Sequence, residues 1–166
     1  MKKLFILIIS ILFYTCTISS DPNEADPNIS LSPATSELSV GGQSSLSLMI
    51  QDNQKAIFGI SLQIDYNNSV LNFSDSTGFA TGDLFDQNAV KFVRKNGSTI
   101  HLSISQLNGQ NSASGSGTIC NLTFNAATLG NSNVEIKQND LLFYDSKGDE
   151  ITIPNLKIES ASISVK

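Results

Sequence analysis

From Ile60 to Tyr66 the chain alternates apolar and polar side chains without a break. Ile60, Leu62, Ile64 and Tyr66 fall on one side, Ser61, Gln63 and Asp65 on the other. A period of two sends successive side chains to opposite faces of a strand. The segment therefore predicts a half-buried strand of an antiparallel sheet. Similar short runs recur down the chain. Ile29–Ser32 stops at Pro33, Leu46, Leu48 and Ile50 alternate within 44–50, and Val70–Phe73 follows a polar turn. Ala89–Arg94 and Thr99–Ser105 flank Asn96-Gly97, a hairpin signal because both residues tolerate positive φ. Strands are also predicted over 117–127, 133–144 and 157–165. In the last of these the apolar phase shifts between Ile158 and Ala161, which predicts a bulge or bend near Glu159-Ser160. Polar turns fall at 37–42, 52–55 and 145–148, with longer loops at 74–88 and 108–117. No helix of ordinary length emerges. About nine short strands separated by polar turns predict an all-β protein, an antiparallel β-sandwich. A jelly-roll connection fits the pattern, although strand order does not follow from it.

The first stretch reads differently. Lys2 and Lys3 precede an apolar run from Leu4 to Tyr14, shorter than a membrane span, which is the form of a secretory signal. Cys16 stands just after the run, where a lipoprotein signal carries the thiol that takes a diacylglycerol. Phe13, Tyr14 and Thr15 precede it in place of the usual Leu, small, small. Ordinary cleavage after Ser19 is the alternative, since Thr17 and Ser19 are suitably small. Residues 1–16 are expected to be a signal peptide and 17–28 a flexible tether with two turn-prone Asp-Pro-Asn steps. The domain is expected over 29–166. The expectation is an exported protein, held at the cell surface or as an outer-membrane lipoprotein and otherwise secreted. Contact with a membrane would come only through an N-terminal lipid.

Charge narrows the partners. Removing Lys2 and Lys3 leaves 8 basic against 15 acidic residues and moves the formal net charge from −5 to −7. An acidic surface without a basic patch repels phosphate, which argues against a nucleic-acid partner.

Candidate chemistry is sparse. His101, the single histidine, alternates outward beside Leu102 and Ile104, and reads as an exposed strand residue rather than a metal ligand or triad member. Asp145, Asp149 and Glu150 cluster about Gly148 but lack the alternating ligands of a calcium loop, so turn chemistry is the better reading and no metal site is assigned. Asp83 and Asp86 flank Leu84-Phe85, two apolar residues suited to plugging the end of a sandwich or lying beside a binding face. Cys120 alternates inward with Leu122 and Phe124 and reads as a buried structural thiol. There is no Trp, Tyr66 falls on the core face, and Tyr144 ends a strand. Few aromatic platforms weigh against binding to crystalline polysaccharide. No catalytic constellation stands out, so the chain is expected not to be an enzyme and to need no cofactor.

Four segments in order carry a likeness. Val40-Gly-Gly-Gln43 leads into a strand, and Tyr66-Asn-Asn-Ser-Val-Leu71 stands where Tyr-Asp-Pro-x-x-Leu is usual. Gly115-Ser-Gly-Thr-Ile-Cys-Asn-Leu-Thr-Phe124 is followed by Leu129-Gly130, and Asp145-Ser-Lys-Gly-Asp-Glu-Ile151 precedes the last strand. With these, residues 29–166 resemble a cohesin domain along nearly their whole length. Asn67-Asn68 in place of Asp-Pro marks a divergent member. The resemblance implies a nine-stranded jelly-roll sandwich with no catalytic site. It also implies a dockerin-bearing protein as partner, with calcium carried by the dockerin and not by this chain. One flat sheet face would do the binding, and strand and phase put Ser61, Gln63, Asp65, Lys91, His101 and Ser103 on it. Related carbohydrate-binding modules share the sandwich, so a polysaccharide ligand stays open.

Overall fold

The computed structural model describes residues 25–166. The expected signal peptide, Cys16 and residues 17–24 of the expected tether lie outside the described residues.

Fourteen strand segments and one 3-10 turn make up the described chain, against the nine strands expected. Two expected strands, 133–144 and 157–165, are each split in two, and three short strands at 35–38, 79–81 and 150–151 form outside the expected ones. The strands build two facing sheets of a jelly-roll β-sandwich. In the first sheet β13 (Lys157–Glu159), β1 (Asn28–Ser32), β3 (Gln43–Ile57), β9 (Ala113–Ala126) and β5 (Leu71–Phe73) lie side by side, and β6 (Phe79–Thr81) also pairs with β9. The second sheet is centred on β4 (Gly59–Asp65). One edge of β4 pairs with β8 (Thr99–Ser105), which pairs with β7 (Val90–Asn96). The other edge pairs with β10 (Gly130–Ile136) and then β11 (Leu142–Tyr144). Beyond them lie β12 (Glu150–Ile151) on β11, β14 (Ala161–Val165) on β10, and β2 (Thr35–Leu38) on β14.

Alternation fixes which side chains meet between the sheets. Leu46, Leu48 and Ile50 of β3 and Leu122 and Phe124 of β9 face Ile60, Leu62 and Ile64 of β4 and Ile100, Leu102 and Ile104 of β8, all essentially sealed from water. Each such side chain contributes about 1.5–3 kcal/mol of transfer free energy. Tyr66 closes the pattern as its period requires, with its ring centroid 5.3 Å from that of Phe124. The turn after it forms without Asp-Pro. Asn67 Oδ1 accepts the Ser69 N–H at 3.1 Å, and the Asn67 carbonyl accepts the N–H groups of Val70 and Leu71. Phe85 is buried against the core, with Leu84 packed beside it.

Other segments also depart from the expectation. Residues 52–55, expected as a loop, are an irregular stretch of β3. The register against β9 shifts on both sides of Asn53, Asp52 takes φ 54°, and the buried Asn53 side chain bonds both the N–H and the carbonyl of Lys55. The expected strand 133–144 runs along one edge of β4 but is broken by a 3-10 turn at Gln138–Asp140. The phase shift near Ser160 is a change of sheet. β13 pairs with β1 in the first sheet and β14 with β10 in the second. Pairing with the rest of the sheet also begins inside the expected tether, since Asn28 pairs with Lys157 and Asp26 approaches the Lys157 ammonium at 3.0 Å.

Candidate partner-binding face

The outer face of β7, β8, β4 and β11 can be laid out from register alone, because residues directly opposite one another in a sheet share a face. Four rows cross it. Tyr144, Gly59, Ser105 and Val90 make the first, and Leu142, Ser61, Ser103 and Phe92 the second. Gln63, His101 and Arg94 make the third, and Asp65, Thr99 and Asn96 the fourth. The two middle strands present small side chains in the first two rows, where Ser61 and Ser103 share a hydrogen bond of 3.0 Å. The flanking strands present large ones. The result is a trough floored by glycine and serine, with Val90 and Phe92 along one wall and Leu142 and Tyr144 along the other. A cleft of about 490 Å³ opens at its upper end, where Phe58 and the Asp145–Gly148 turn close it. A second cleft of about 260 Å³ continues past Ser61, Phe92 and Leu142 toward Gln63, His101 and Asp140.

Val90 and Phe92 are 57% and 53% exposed. The other large apolar side chains left this open among the described residues, Val40, Leu107 and Leu129, sit in turns or loops. This exposed apolar pair lies on one face of β7, opposite Ser105 and Ser103.

The lower rows are polar. Thr99 Oγ1 donates to Asp65 Oδ1 at 2.5 Å, and Lys137 Nζ lies 3.3 Å from Asp65 Oδ2. Both charged groups are well solvated, so the ion pair adds little stability and serves mainly to hold the Asp65 side chain across the strand edge. At the opposite end Asp145 Oδ1 accepts the N–H groups of Lys147 and Asp149 at 2.8 and 3.0 Å, so this carboxylate fixes the turn that walls the cleft. Among the described residues no three His, Cys, Asp or Glu side chains gather as a metal centre. No helix there is long and apolar enough to cross a membrane.

Of the six residues expected on this face, Ser61, Gln63, Asp65, His101 and Ser103 lie on it. Lys91 does not. It is paired opposite Ile104, whose side chain is in the core, so Lys91 points to the inner side of the edge strand, where its ammonium donates to the Gln87 carbonyl at 2.9 Å. On β7 Val90 and Phe92 are outward while Lys91 and Val93 are inward, so polarity is no guide to the faces of this strand. Val90, Phe92 and Arg94 are the residues missed, and Leu142 with them. Register could have found the first three. The hairpin turn is Gly97-Ser98, with Gly97 at φ 63° and Asn96 opposite Thr99. Any two-residue loop at this point pairs odd-numbered residues of β7 with even-numbered residues of β8, and the even-numbered ones, Ile100, Leu102 and Ile104, are the core set.

Comparison with known proteins adds the family. The cohesin domain family model matches residues 29–161. The non-cellulosomal cohesin from the hyperthermophilic archaeon Archaeoglobus fulgidus superposes with a TM-score of 0.67 at 20% identity, over 86% of this chain and 92% of that one. A type II cohesin domain from the cellulosome of Acetivibrio cellulolyticus gives 0.69 at 16% identity, over 84% and 95%. The third ScaC cohesin of the same organism, solved in complex with the ScaB dockerin, gives 0.67 at 14% identity, over 84% and 98%. Among curated proteins none matches the chain. At these identities the structural likeness establishes the fold, and the family match over 29–161 carries the assignment. The chain belongs to the cohesin domain family, a family of non-catalytic binding modules.

Proposed function

We propose that this protein is an exported, surface-held adaptor whose β7–β8–β4–β11 face docks a dockerin-bearing protein. The observation that carries the reading is the apolar trough on an otherwise polar sheet face, in a member of a family whose solved relatives include a cohesin in complex with a dockerin. The mechanism is rigid docking. The backbone of the face is held by the ladder hydrogen bonds of four strands, so little ordering is needed on binding. Val90, Phe92, Leu142 and Tyr144 lose water at the centre, and Gln63, Asp65, Arg94 and His101 form a polar rim that fixes the pose. Calcium belongs to the dockerin. Export and anchoring are supported by Lys2 and Lys3, the apolar run from Leu4 to Tyr14, and Cys16, whose thiol would carry the lipid.

The test uses a dockerin-bearing protein recovered from the secreted and membrane fractions of the source cells and then purified. Ser61→Arg fills the floor of the trough. It is expected to weaken binding by about 100-fold or more, the scale of losing a central contact, while the unfolding midpoint barely moves. Chelation of calcium should abolish binding by acting on the partner. Wild-type affinity in Ser61→Arg, with the sandwich intact, removes the face assignment. Mass spectrometry of the mature protein checks the anchor. A diacylglycerol on Cys16, lost in Cys16→Ser, supports it, and an N-terminus at Ser20 replaces it with simple secretion.

One observation favours a second reading. Phe58, Phe92 and Tyr144 converge on the 490 Å³ cleft beside Ser61, Ser103 and Ser105, a mix of rings and hydroxyls that also suits a sugar chain. Retardation of the protein in gels containing soluble polysaccharide, relieved by Phe92→Ala, would support glycan binding.

A further inference from the structure

Asn-x-Ser/Thr steps occur at Asn28, Asn67, Asn72, Asn96 and Asn121. In an exported chain this is the acceptor sequence for an N-linked glycan. The fold treats the steps differently. Asn28, Asn72, Asn96 and Asn121 lie in strands, opposite Gln51, Asn125, Thr99 and Ser47. The Asn121 carboxamide accepts the Ser47 hydroxyl at 2.6 Å, and Asn28 Oδ1 is buried. Asn67 alone stands outside a strand, and Asn67, Asn68 and Ser69 are all exposed.

The turn also presents the reacting group. Ser69 donates twice to Asn67 Oδ1, through its N–H at 3.1 Å and its hydroxyl at 2.6 Å. Both bonds draw charge toward the carboxamide oxygen and make the Nδ2 protons more acidic. Nδ2 itself has one long contact, 3.4 Å to the Asn131 carbonyl, which leaves its second N–H free. The turn needs only an acceptor at position 67. An aspartate would take the Ser69 N–H equally well, so the amide nitrogen is surplus to the local fold.

A neighbour adds a second observation. Thr128 Oγ1 donates to the Ser69 carbonyl at 2.6 Å, and with the Asn131 contact this holds the 128–131 turn beside the Asn67 turn. Leu129, between them, is 68% exposed, the most open large apolar side chain among the described residues. Apolar surface left this open calls for a cover, and a saccharide linked to Asn67 stands beside it.

We propose that Asn67 is an N-glycosylation acceptor whose saccharide covers Leu129. The co-substrate is an oligosaccharide carried on a lipid diphosphate, and the transferase is a separate enzyme. The bond from Nδ2 to the sugar C1 forms as the C1–O bond to the diphosphate breaks. The bonding pair leaves with the diphosphate, and one Nδ2 proton passes to a base of the transferase. The inference rests on the reading of the chain as exported and is independent of the docking face. The site lies at the far end of the sandwich from Asn28, since β3 runs about 27 Å from Gln51, opposite Asn28, to Gln43, opposite Asn125. The saccharide therefore stands clear of the point where the chain enters the fold.

Mass spectrometry of the full chain recovered from source cells, fraction by fraction, tests it. The tryptic peptide Ala56–Lys91 is expected to carry a saccharide mass, and electron-transfer fragmentation should place it on Asn67 rather than Asn72. The mass should vanish in Asn67→Asp, which keeps the turn acceptor, and in Ser69→Ala. Both variants should keep the urea midpoint of the enzymatically deglycosylated wild type. Leu129→Cys should react with a maleimide about tenfold faster once the saccharide is removed, as a thiol does on gaining access. Equal rates overturn the covering of Leu129. A bare Asn67 in chain from the membrane or secreted fraction overturns the site and leaves export standing. A chain found only in the cytosol sinks export and the site with it. A saccharide on Asn28, Asn72, Asn96 or Asn121 with Asn67 bare overturns selection by the turn.

Discussion

Phe92 is where binding and folding can be separated by one truncation. The residue is 53% exposed. A phenylalanine buries about 150–250 Å² when fully enclosed, so roughly 80–130 Å² remains to be covered by a partner. At about 25 cal/mol per Å² that is about 2–3 kcal/mol, or about 30- to 150-fold in Kd. Phe92→Ala is expected to weaken dockerin binding by that factor. It should cost the free protein only about 1 kcal/mol, the scale of strand preference at an edge. Val93→Ala is the matched control. Val93 sits opposite Leu102 on the inner side of the same strand and packs against the core. Its truncation should lower stability by about 1–2 kcal/mol and leave affinity within threefold. Titration calorimetry and urea unfolding of both variants measure the two quantities independently. Phe92→Ala binding within threefold of wild type, in protein that remains folded, would refute the area argument and the trough with it.

Three further outcomes follow from the same packing. Gly82→Ala should destabilise the sandwich by more than about 3 kcal/mol, in the range reserved for backbone clashes and strain, since a Cβ there would sit 2.0 Å from the Thr118 carbonyl oxygen. Urea unfolding or loss of soluble yield reads it, and a near-native midpoint contradicts it. Cys120 is fully buried and burial pushes its thiol up, so it should resist iodoacetamide in the native protein and react on unfolding. Alkylation at equal rates in buffer and in denaturant would place the thiol at the surface. Burial also raises the Tyr66 phenol. Both groups keep their protons in the folded state above the ordinary values of 9.0 and 10.0, where the unfolded chain has released half of them. The native state then binds more protons than the unfolded one, and stability should fall as pH rises through 9 and beyond. Tyr66→Phe should flatten the upper part of that decline, as urea midpoints between pH 8 and 11 will show.

The sandwich was legible because its strands carry their faces in their spelling. Ile60 to Tyr66 and Thr99 to Ser105 alternate so strictly that register, burial and partner strand follow together. What escaped was decided by partners distant in sequence. Nothing local says that the break at Ser160 is a passage between sheets, because β13 and β14 are told apart only by pairing with β1 and β10. Asn53 reads as loop because it is polar. It is buried because its amide supplies both bonds that the irregular strand lacks at Lys55. On the candidate face, five residues could be placed by period alone, since β4 and β8 are central strands with polar outward positions. On β7 the same rule misplaced Lys91, because an edge strand has too little core beneath it for burial to sort its side chains by polarity.

That edge strand carries an apparent contradiction. Seven residues of unpaired edge with Val90 and Phe92 exposed invite strand-to-strand aggregation. The remaining residues of β7 work against it. Lys91 and Lys95 alternate with the apolar pair and put positive charge on the edge. Asp75 reaches from the preceding loop to accept the Lys95 N–H at 2.6 Å, which removes a donor from any strand that would add there. The Lys95 ammonium is in turn turned toward Asn72 of the first sheet, at 3.4 Å. The edge is thus closed to a strand while the face beside it stays open. A chain that needed only to fold would have placed polar residues at 90 and 92. Keeping them apolar and guarding the edge around them is consistent with a surface kept for a partner that lies on the sheet rather than one that extends it.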